Sequence, residues 1–441
     1  MINLFDNYSQ ESIDLHQSLQ LSGYTHPTVV IDENGFLPDD VTSPFAYYAS
    51  IYKGEGEPLY FNQVKCPDFW EIRGNNNGAA IYEDNNKRAS IVYAPNITNK
   101  RYVQRVEWLD LDGNIRIVDH YSKLGIKFAR TSYNLNKQPT MTTYYNNGHY
   151  EVIVENHMTK DIILNTHEQI HLFKSRVEFV NFYLNKVFGN IDRILYNSLS
   201  IPFFVSYKLS KPGDDILFWQ ESLPNDFKLP GNMITLLRNP NRTKKVIFQN
   251  KSDYQNIQLK YPDLINKISY LGFIYPIRNI NREKLDVLIL TNSDSIEAIS
   301  TIIESLPKIN FHIAALTEMS SKLMELSNYH NVVLYPNIKE GDASHLFEKC
   351  SFYLDINHGI EIKYAVRQAY LNGMLVLTFK NTIHNKKFIS PEHIFDQKNS
   401  VELINVIKEC LDSHSYLLSE LKKQQKYVNQ SSSMDYQNGI G

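Results

Sequence analysis

The sequence has few cysteines and no long apolar run, and each shortage excludes a class of protein. Only Cys66, Cys350 and Cys410 occur among 441 residues, without the spacing of metal ligands, so we expect reduced thiols, no disulfide and no zinc site. No segment approaches the roughly 18 consecutive apolar residues of a membrane-spanning helix. Residues 1–19 contain no basic leader before an apolar core, so the sequence predicts a cytoplasmic protein.

Basic charge is not in excess either. Lys and Arg number 45 against 48 Asp and Glu, a formal charge of −3, so no broad basic face is expected and nucleic acid is excluded as a partner. The chain contains no G-x-S-x-G and no G-x-x-x-x-G-K-[ST]. These absences argue against an α/β-hydrolase triad and against a phosphate-binding loop.

The composition that remains, 42% hydrophobic and 21% charged residues, is typical of a globular chain, and its length predicts two or three domains. Residues 1–45 have the pattern of a strand, a helix and a second strand. Between residues 46 and 164 the apolar period changes to two, with an Asp-Gly pair at 112–113 and an Asn-Gly pair at 147–148 between alternating runs. This pattern predicts an antiparallel meander joined by tight hairpins.

After residue 165 short apolar strands alternate with helices, which indicates parallel sheets covered on both faces. The predicted fold class is α/β, with two Rossmann-like domains and an antiparallel β-sheet domain inserted in the first. We assign 1–45 with 165–285 to the first domain, 46–164 to the insert and 286–425 to the second domain. The polar tail, 426–441, is expected to be loose. Such twin domains place their ligand outside the carboxyl ends of the strands.

The stretch NHGIEIKYAVRQAYLNGMLVL, residues 357–377, predicts the ligand-facing part of the second domain. A buried strand ends before it, Asn-His-Gly forms a turn, and residues 361–372 are predicted to form a helix that Gly373 ends. The helix has one apolar stripe. Its members are Ile362, Ala365, Val366, Ala369 and Tyr370.

This pattern of strand, polar turn and helix resembles the donor-binding segment of retaining glycosyltransferases with twin Rossmann domains. The resemblance implies two glutamates eight positions apart, one for the transferred sugar and one for the ribose. Aligned on RQAYLNG, those positions hold Ile360 and Gln368, and neither is a carboxylate. A slipped register would use His358 or Glu361 instead, although a polar residue in such a turn more often caps the helix.

Two further parts of that donor site are absent. The resembled enzymes place Arg and Lys for the diphosphate after the first strand of the second domain, where this sequence has LILTNSDSIEAIS with Asp294 and Glu297. The first strand of the chain is followed by FDNYSQES, with no glycine before Gly23, so close backbone approach of a ligand is obstructed. The sequence therefore predicts a glycosyltransferase fold without its catalytic groups.

Over nearly its full length the chain resembles the stabilising, non-catalytic B subunits of bacterial O-GlcNAc transferases that glycosylate serine-rich repeat adhesins in the accessory Sec system. Segments such as PTVVIDENGFLPDD, ISYLGFIYP and FHIAALTEMSSKLMEL carry this resemblance. It implies a GT-B-type fold, a catalytic A subunit as partner, and UDP-GlcNAc bound by that partner and not by this chain. It also implies an unglycosylated Ser/Thr-rich acceptor, and a location in the cytoplasm or on the cytoplasmic face of the membrane.

An unfolded Ser/Thr-rich chain suits addition as a strand to an open sheet edge, so we predict that the insert recognises the acceptor. The candidate contacts are Trp70, Arg73, Trp108, Tyr144 and Tyr145. The simpler interpretation of each aromatic residue is that it covers the core of its own sheet. An active UDP-sugar transferase with an atypical site, and a purely structural protein, remain the alternatives.

Overall fold

The computed structural model describes residues 1–75, 78–94, 100–166, 168–278, 285–362 and 364–441. The chain divides into two compact units, of which the first contains Met1–Ile274 with Ser431–Gly441 and the second contains Tyr275–Gln430. From the sequence, we placed the boundary between the first and second Rossmann-like domains after residue 285. The residues just before this position lie outside the described ranges.

The first unit begins with strand β1 (Ile2–Phe5), helix α1 (Gln10–Leu21), strands β2 (Thr28–Val30) and β3 (Val41–Thr42), and helix α2 (Pro44–Ala49). Helix α1 begins where the Ser9 side chain accepts a hydrogen bond from the Ser12 backbone N–H. Leu15 and Leu19, four positions apart, are fully buried and fix the face that packs inward.

Ten antiparallel strands follow and form one sheet in chain order. They are β4 (Glu71–Gly74), β5 (Ala79–Glu83), β6 (Asn86–Tyr93), β7 (Val103–Leu109), β8 (Ile115–Tyr121), β9 (Lys127–Tyr133), β10 (Pro139–Tyr145), β11 (Glu151–Asn156), β12 (Ile162–Asn165) and β13 (Ile170–Phe173). Turns at 112–113 and 147–148 join β7 to β8 and β10 to β11, and Gly113 has the positive φ of 80° that favours glycine. The predicted antiparallel meander is confirmed, and it continues past residue 164.

The remaining elements of this unit alternate between helix and strand. They are α3 (Arg176–Phe188), β14 (Ile194–Tyr196), α4 (Ile201–Lys208), β15 (Asp215–Trp219), α5 (Gly231–Arg238), β16 (Thr243–Phe248), α6 (Lys251–Lys260) and β17 (Ile268–Tyr270). The parallel sheet has the order β17-β16-β15-β14-β1-β2-β3. Its strands are almost entirely buried, as expected for a parallel sheet with helices on both faces.

The second unit holds a six-stranded parallel sheet and the helices that cover it. Its elements are β18 (Val287–Thr291), α7 (Ile299–Ser305), β19 (Phe311–Ala315), α8 (Ser321–Met324), β20 (Val332–Tyr335), α9 (Glu340–Lys349), β21 (Phe352–Asp355), α10 (Ala365–Leu371), β22 (Leu375–Phe379), β23 (Ile394–Phe395), α11 (Ser400–Asp412) and α12 (His414–Val428). The strand order is β20-β19-β18-β21-β22-β23. Two parallel sheets and one antiparallel sheet confirm the predicted α/β class.

The expectation of a loose tail was wrong. Residues Ser433–Ile440 form helix α13, which begins at Ser432 with reciprocal hydrogen bonds between Ser432 and Asp435. Tyr436 and Ile440 lie on one side of this helix and are buried in the first unit. The tail is poor in apolar residues overall, but two of them four positions apart are sufficient to dock a short helix.

Within the described ranges no helix is long and apolar enough to cross a membrane.

Candidate functional site

The point in the second unit where a ligand is expected lies between the carboxyl ends of β18 and β21. The chain leaves β18 toward β19 on one side, whereas β21 lies on the other side of β18 and continues toward β22. A reversal of this kind opens a crevice in parallel α/β sheets, and nucleotides bind there. Here the two connections are 292–298 and 356–364.

Hydrogen bonds join these two connections across the crevice. Thr291 Oγ1 donates to Asn357 Oδ1 at 2.9 Å, and Asn357 Nδ2 donates to Asn292 Oδ1 at 3.2 Å. Ile296 and Asn357 also pair as an isolated antiparallel bridge. The two connections are thus joined by the protein's own amides and backbone, and a diphosphate would have to compete with these hydrogen bonds.

The approach of the two connections depends on a glycine. A β-carbon added at Gly359 would lie 1.7 Å from Asn292 Oδ1. Beside it, His358 donates its backbone N–H to the Ser295 carbonyl and its ring nitrogen Nε2 lies 2.8 Å from Glu297 Oε2. His358 therefore joins the two connections, which differs from both the helix cap and the sugar ligand considered from sequence.

The positions implied for the sugar and the ribose lie in different environments. Ile360 is 69% exposed, and helix α10 begins at Ala365, so the sequence-based start at residue 361 was too early. Glu361 Oε1 instead accepts a hydrogen bond from the Val366 backbone N–H at 3.2 Å, which makes it a capping group of α10, and burial raises the pKa of its carboxyl. Gln368 is half-buried on that helix.

His384 also lies at this crevice, and no sequence pattern indicated it. Its Nδ1 lies 2.6 Å from Asp355 Oδ1 and its Nε2 lies 2.7 Å from the Gly359 carbonyl oxygen. Two acceptors require two N–H donors, so the ring is an imidazolium, and the hydrogen bond to Asp355 raises the pKa of His384 to about 9. The partners are 29 and 25 residues away in sequence, which is why no local motif shows the cluster.

The five acceptor candidates in the antiparallel sheet lie in different environments. Trp70 and Trp108 pack against the buried cluster of β5, β6 and β7, and Trp108 Nε1 donates to Asp119 Oδ2 at 3.0 Å. Arg73 lies on edge strand β4, where its guanidinium stacks on Tyr82 and bonds to Glu71.

Tyr144 and Tyr145 lie several strands away from that group, on β10. Tyr144 is 7% exposed and stacks on Phe45 with ring centroids 4.5 Å apart, so it covers the core, as the simpler interpretation states. Tyr145 points to the opposite face and is half-buried. The structure therefore does not bring the five candidates together at one place.

A pocket of about 220 Å³ opens instead over β8, β9 and β10, next to Glu33, which follows β2. A row of hydrogen-bonded side chains crosses the strands at this pocket, and no sequence pattern indicated any of them. The row consists of His120, Thr131, Thr142 and His157. Alternation predicts that residues 131 and 142 face one side of the sheet, but only the register places them opposite each other.

In the part of the chain that the structure describes, no three His, Cys, Asp or Glu side chains are arranged to hold a metal ion.

Four family models match consecutive parts of the chain. They describe the GtfB N-terminal domain (residues 2–48), the GtfB middle domain (70–174), the GtfB third domain (176–259) and the GftB/GlyA-F C-terminal domain (287–424). The middle-domain match coincides with the ten-stranded antiparallel sheet.

Full-length relatives carry the same name. The chain is 44% identical over 426 residues to the "UDP-N-acetylglucosamine--peptide N-acetylglucosaminyltransferase stabilizing protein GtfB" of Streptococcus agalactiae, covering 96% of each chain. It is 42% identical to the protein of that name from Streptococcus gordonii, covering 97% of this chain and 96% of the relative. A chain in a crystal structure of a GtfA/B complex bound to UDP and GlcNAc superposes with a TM-score of 0.93 at 41% identity, covering 100% of this chain and 99% of the other. The chain belongs to the GtfB family of glycosyltransferase-stabilising proteins.

Proposed function

We propose that this chain is the non-catalytic subunit of an O-GlcNAc transferase, which stabilises the catalytic subunit and presents the polypeptide acceptor to it. One observation carries the proposal: Asn357 bonds to Thr291 and Asn292 across the crevice of the second unit. A donor nucleotide needs this crevice open, with cations for its phosphates.

The chemistry around the crevice supports the same conclusion. The position implied for the sugar-binding carboxylate holds Ile360, which can neither hydrogen-bond a sugar nor stabilise developing charge. The imidazolium of His384 is already bonded to Asp355 and to a backbone carbonyl. This chain therefore binds no UDP-GlcNAc, and the partner, a transferase of the kind named GtfA in the related complex, supplies the donor site.

The acceptor is a Ser/Thr-rich adhesin segment in the cytoplasm, or at the cytoplasmic face of the membrane, before its export. The ten-stranded sheet has two edges, β4 and β13. Edge β4 carries Glu71 and Arg73, and charged side chains discourage strand addition. Edge β13 carries Ile170 and Leu172, which are 73% and 57% exposed, so an extended acceptor chain adds to β13.

The test is calorimetric titration of UDP-GlcNAc, and separately of an unglycosylated Ser-rich peptide, into the chain alone and into its complex with the partner. The chain alone should bind the peptide and give no heat with UDP-GlcNAc, whereas the complex should bind both. Donor hydrolysis or sugar transfer by the chain after rigorous removal of the partner would overturn the proposal. That result would favour the alternative of an atypical active enzyme using His358, Glu361 or Gln368.

A further inference from the structure

The pocket over β8, β9 and β10 has a position and a lining that the proposed function does not explain. Glu33 and Arg176 form one side of it, and the face of the antiparallel sheet forms the other. Glu33 comes three residues after the carboxyl end of β2, and ligands of parallel sheets bind near such ends. All the lining residues belong to the first unit.

The ionisable groups Glu33 and Arg176 already have hydrogen-bond partners within the protein. The Arg176 guanidinium bonds to Glu155 and to Asp32, and the Glu33 carboxylate accepts hydrogen bonds from Ser43, Tyr52 and a backbone N–H. An ionic ligand would have to compete with these pairs in a partly desolvated space. The hydrogen bonds that Glu33 and Arg176 already make therefore favour a neutral ligand.

The hydrogen-bonded row limits where its protons can lie. His120 Nε2 lies 3.0 Å from Thr131 Oγ1, the two threonine oxygens are 2.8 Å apart, and Thr142 Oγ1 lies 2.7 Å from His157 Nε2. Three hydrogen bonds need three hydrogens, and the two hydroxyls supply at most two. At least one of the two histidines must therefore be the Nε2–H tautomer.

Burial favours the neutral form of both rings. Burial, with a smaller contribution from Arg105, lowers the pKa of His120 to about 4, while Asp119 opposes that shift. Burial also lowers the pKa of His157, aided by Arg176 and Lys160 and opposed by Glu155. The row is thus a neutral, polarised chain of donors and acceptors.

From this geometry we propose that the pocket binds an aliphatic hydroxyl group next to a small apolar group. Such a hydroxyl both donates and accepts, which suits a lining of threonine hydroxyls and imidazole rings that also donate and accept. The side chains of Tyr133 and Tyr144 also line the pocket. Phe128 and Pro139 supply an apolar wall.

The volume limits the ligand. A pocket of about 220 Å³ lies below the ~300–1,000 Å³ of most small-molecule sites, so it cannot enclose a nucleotide sugar. A threonine side chain of the acceptor, or one neutral sugar ring attached to it, carries the required chemistry. Naming a threonine side chain or an attached sugar ring as the ligand rests on the proposed function. The inference that the pocket binds a hydroxyl group does not rest on it.

The experiment compares peptide binding by two neighbouring variants in the full chain. Thr142→Val removes a hydroxyl of the row and keeps the shape, and Thr143→Val makes the same change on the opposite face of β10. The probes are a Thr-rich peptide, the same peptide with valine at each threonine, and free N-acetylglucosamine. We expect the native chain and the Thr143→Val variant to bind a hydroxyl-bearing probe about tenfold more tightly than the valine peptide. The Thr142→Val variant should lose this difference in affinity.

Each outcome is informative. Preference for the Thr peptide over the Val peptide assigns the pocket to an acceptor side chain, and binding of the free sugar assigns it to a sugar ring. The inference is overturned if Thr142→Val and the native chain prefer the hydroxyl-bearing probe over the valine peptide to the same degree. It is also overturned if neither hydroxyl-bearing probe binds. Partner stabilisation measured on the same Thr142→Val protein tests the proposed function separately.

A measurement on the native chain avoids dependence on the folding of a variant. Long-range ¹H–¹⁵N spectra of histidine-labelled protein distinguish the two neutral tautomers. We expect at least one Nε2–H form among His120 and His157, with both signals shifting when the preferred probe is added. Two Nδ1–H forms, or signals that do not move on binding, contradict the assignment of the pocket.

Discussion

Gly359 lies so close to Asn292 that a β-carbon at residue 359 would stand 1.7 Å from the Asn292 Oδ1 atom. Asn292 in turn accepts a hydrogen bond from Asn357 and donates one to the Ile360 carbonyl. One glycine thus permits the contact that closes the crevice of the second unit.

We expect Gly359→Ala to displace the Asn292 side chain and to break both of its hydrogen bonds. The loss should lower the free energy of unfolding by about 1–2 kcal/mol, measured by urea denaturation. Gly341→Ala is the matched control, because Gly341 lies in helix α9 with open space around an added β-carbon, so alanine should be neutral or slightly stabilising there. Equal stability of the two variants would show that the contact does not constrain the crevice.

Restoring the missing carboxylates should not restore catalysis. In the double variant Ile360→Glu, Gln368→Glu the crevice would still be closed by Asn357 and would still carry Asp294 and Glu297 in place of diphosphate cations. We expect no UDP-GlcNAc hydrolysis above background in an assay of UDP release. Robust turnover by the double variant would mean that the donor site was otherwise intact.

The His384 interaction should make stability depend on pH. The hydrogen bond to Asp355 raises the pKa of His384 from 6.5 to about 9, so its stabilising contribution is complete below about pH 6.5 and is lost as pH rises through about 9. We expect His384→Gln to cost about 2 kcal/mol at pH 6 and much less at pH 9.5, by denaturant unfolding at each pH.

The control for that series is His330→Gln, which changes an exposed histidine of the same unit and should alter the free energy of unfolding by less than about 0.5 kcal/mol. A difference between native chain and His384→Gln that stays constant across this pH range would argue against a charged His384.

Docking of the C-terminal helix should be needed for the stability of the first unit. Tyr436 is fully buried and stacks near Phe218, and Arg193 donates to the Ile440 carbonyl at 2.8 Å. We expect Tyr436→Ala to lower the free energy of unfolding by about 3 kcal/mol. Met434 lies on the same helix and is 69% exposed, so Met434→Ala should lower the free energy of unfolding by less than about 0.5 kcal/mol. An equally small effect of Tyr436→Ala would mean that the first unit does not need the docked helix.

The proposed acceptor edge can be blocked by charge. Lysine at Ile170 and Leu172 should disfavour strand addition to β13 and weaken binding of an unglycosylated Ser-rich peptide about tenfold, measured by fluorescence anisotropy. Val401→Lys, an equally exposed change on helix α11, should leave peptide affinity unchanged. Unaltered binding by the β13 variant would place the acceptor elsewhere on the chain.

Local patterns in the sequence determined the kinds of secondary structure and the loss of donor chemistry. Alternating runs with Asp-Gly and Asn-Gly pairs produced the antiparallel sheet, and the apolar stripe from Ile362 to Tyr370 is buried as its spacing requires. The absence of carboxylates at 360 and 368 follows from residue identity alone. These features depend on periodicity and side-chain chemistry within one segment.

Only the tertiary structure decided how distant segments meet. The pairing of His384 with Asp355, the contact of Gly359 with Asn292, and the row from His120 to His157 all join separate strands or connections. Strand register and sheet order set these contacts, and neither is encoded in a local repeat. The docking of the 433–440 helix has the same origin, because the energy of burying Tyr436 comes from a surface more than two hundred residues away in sequence.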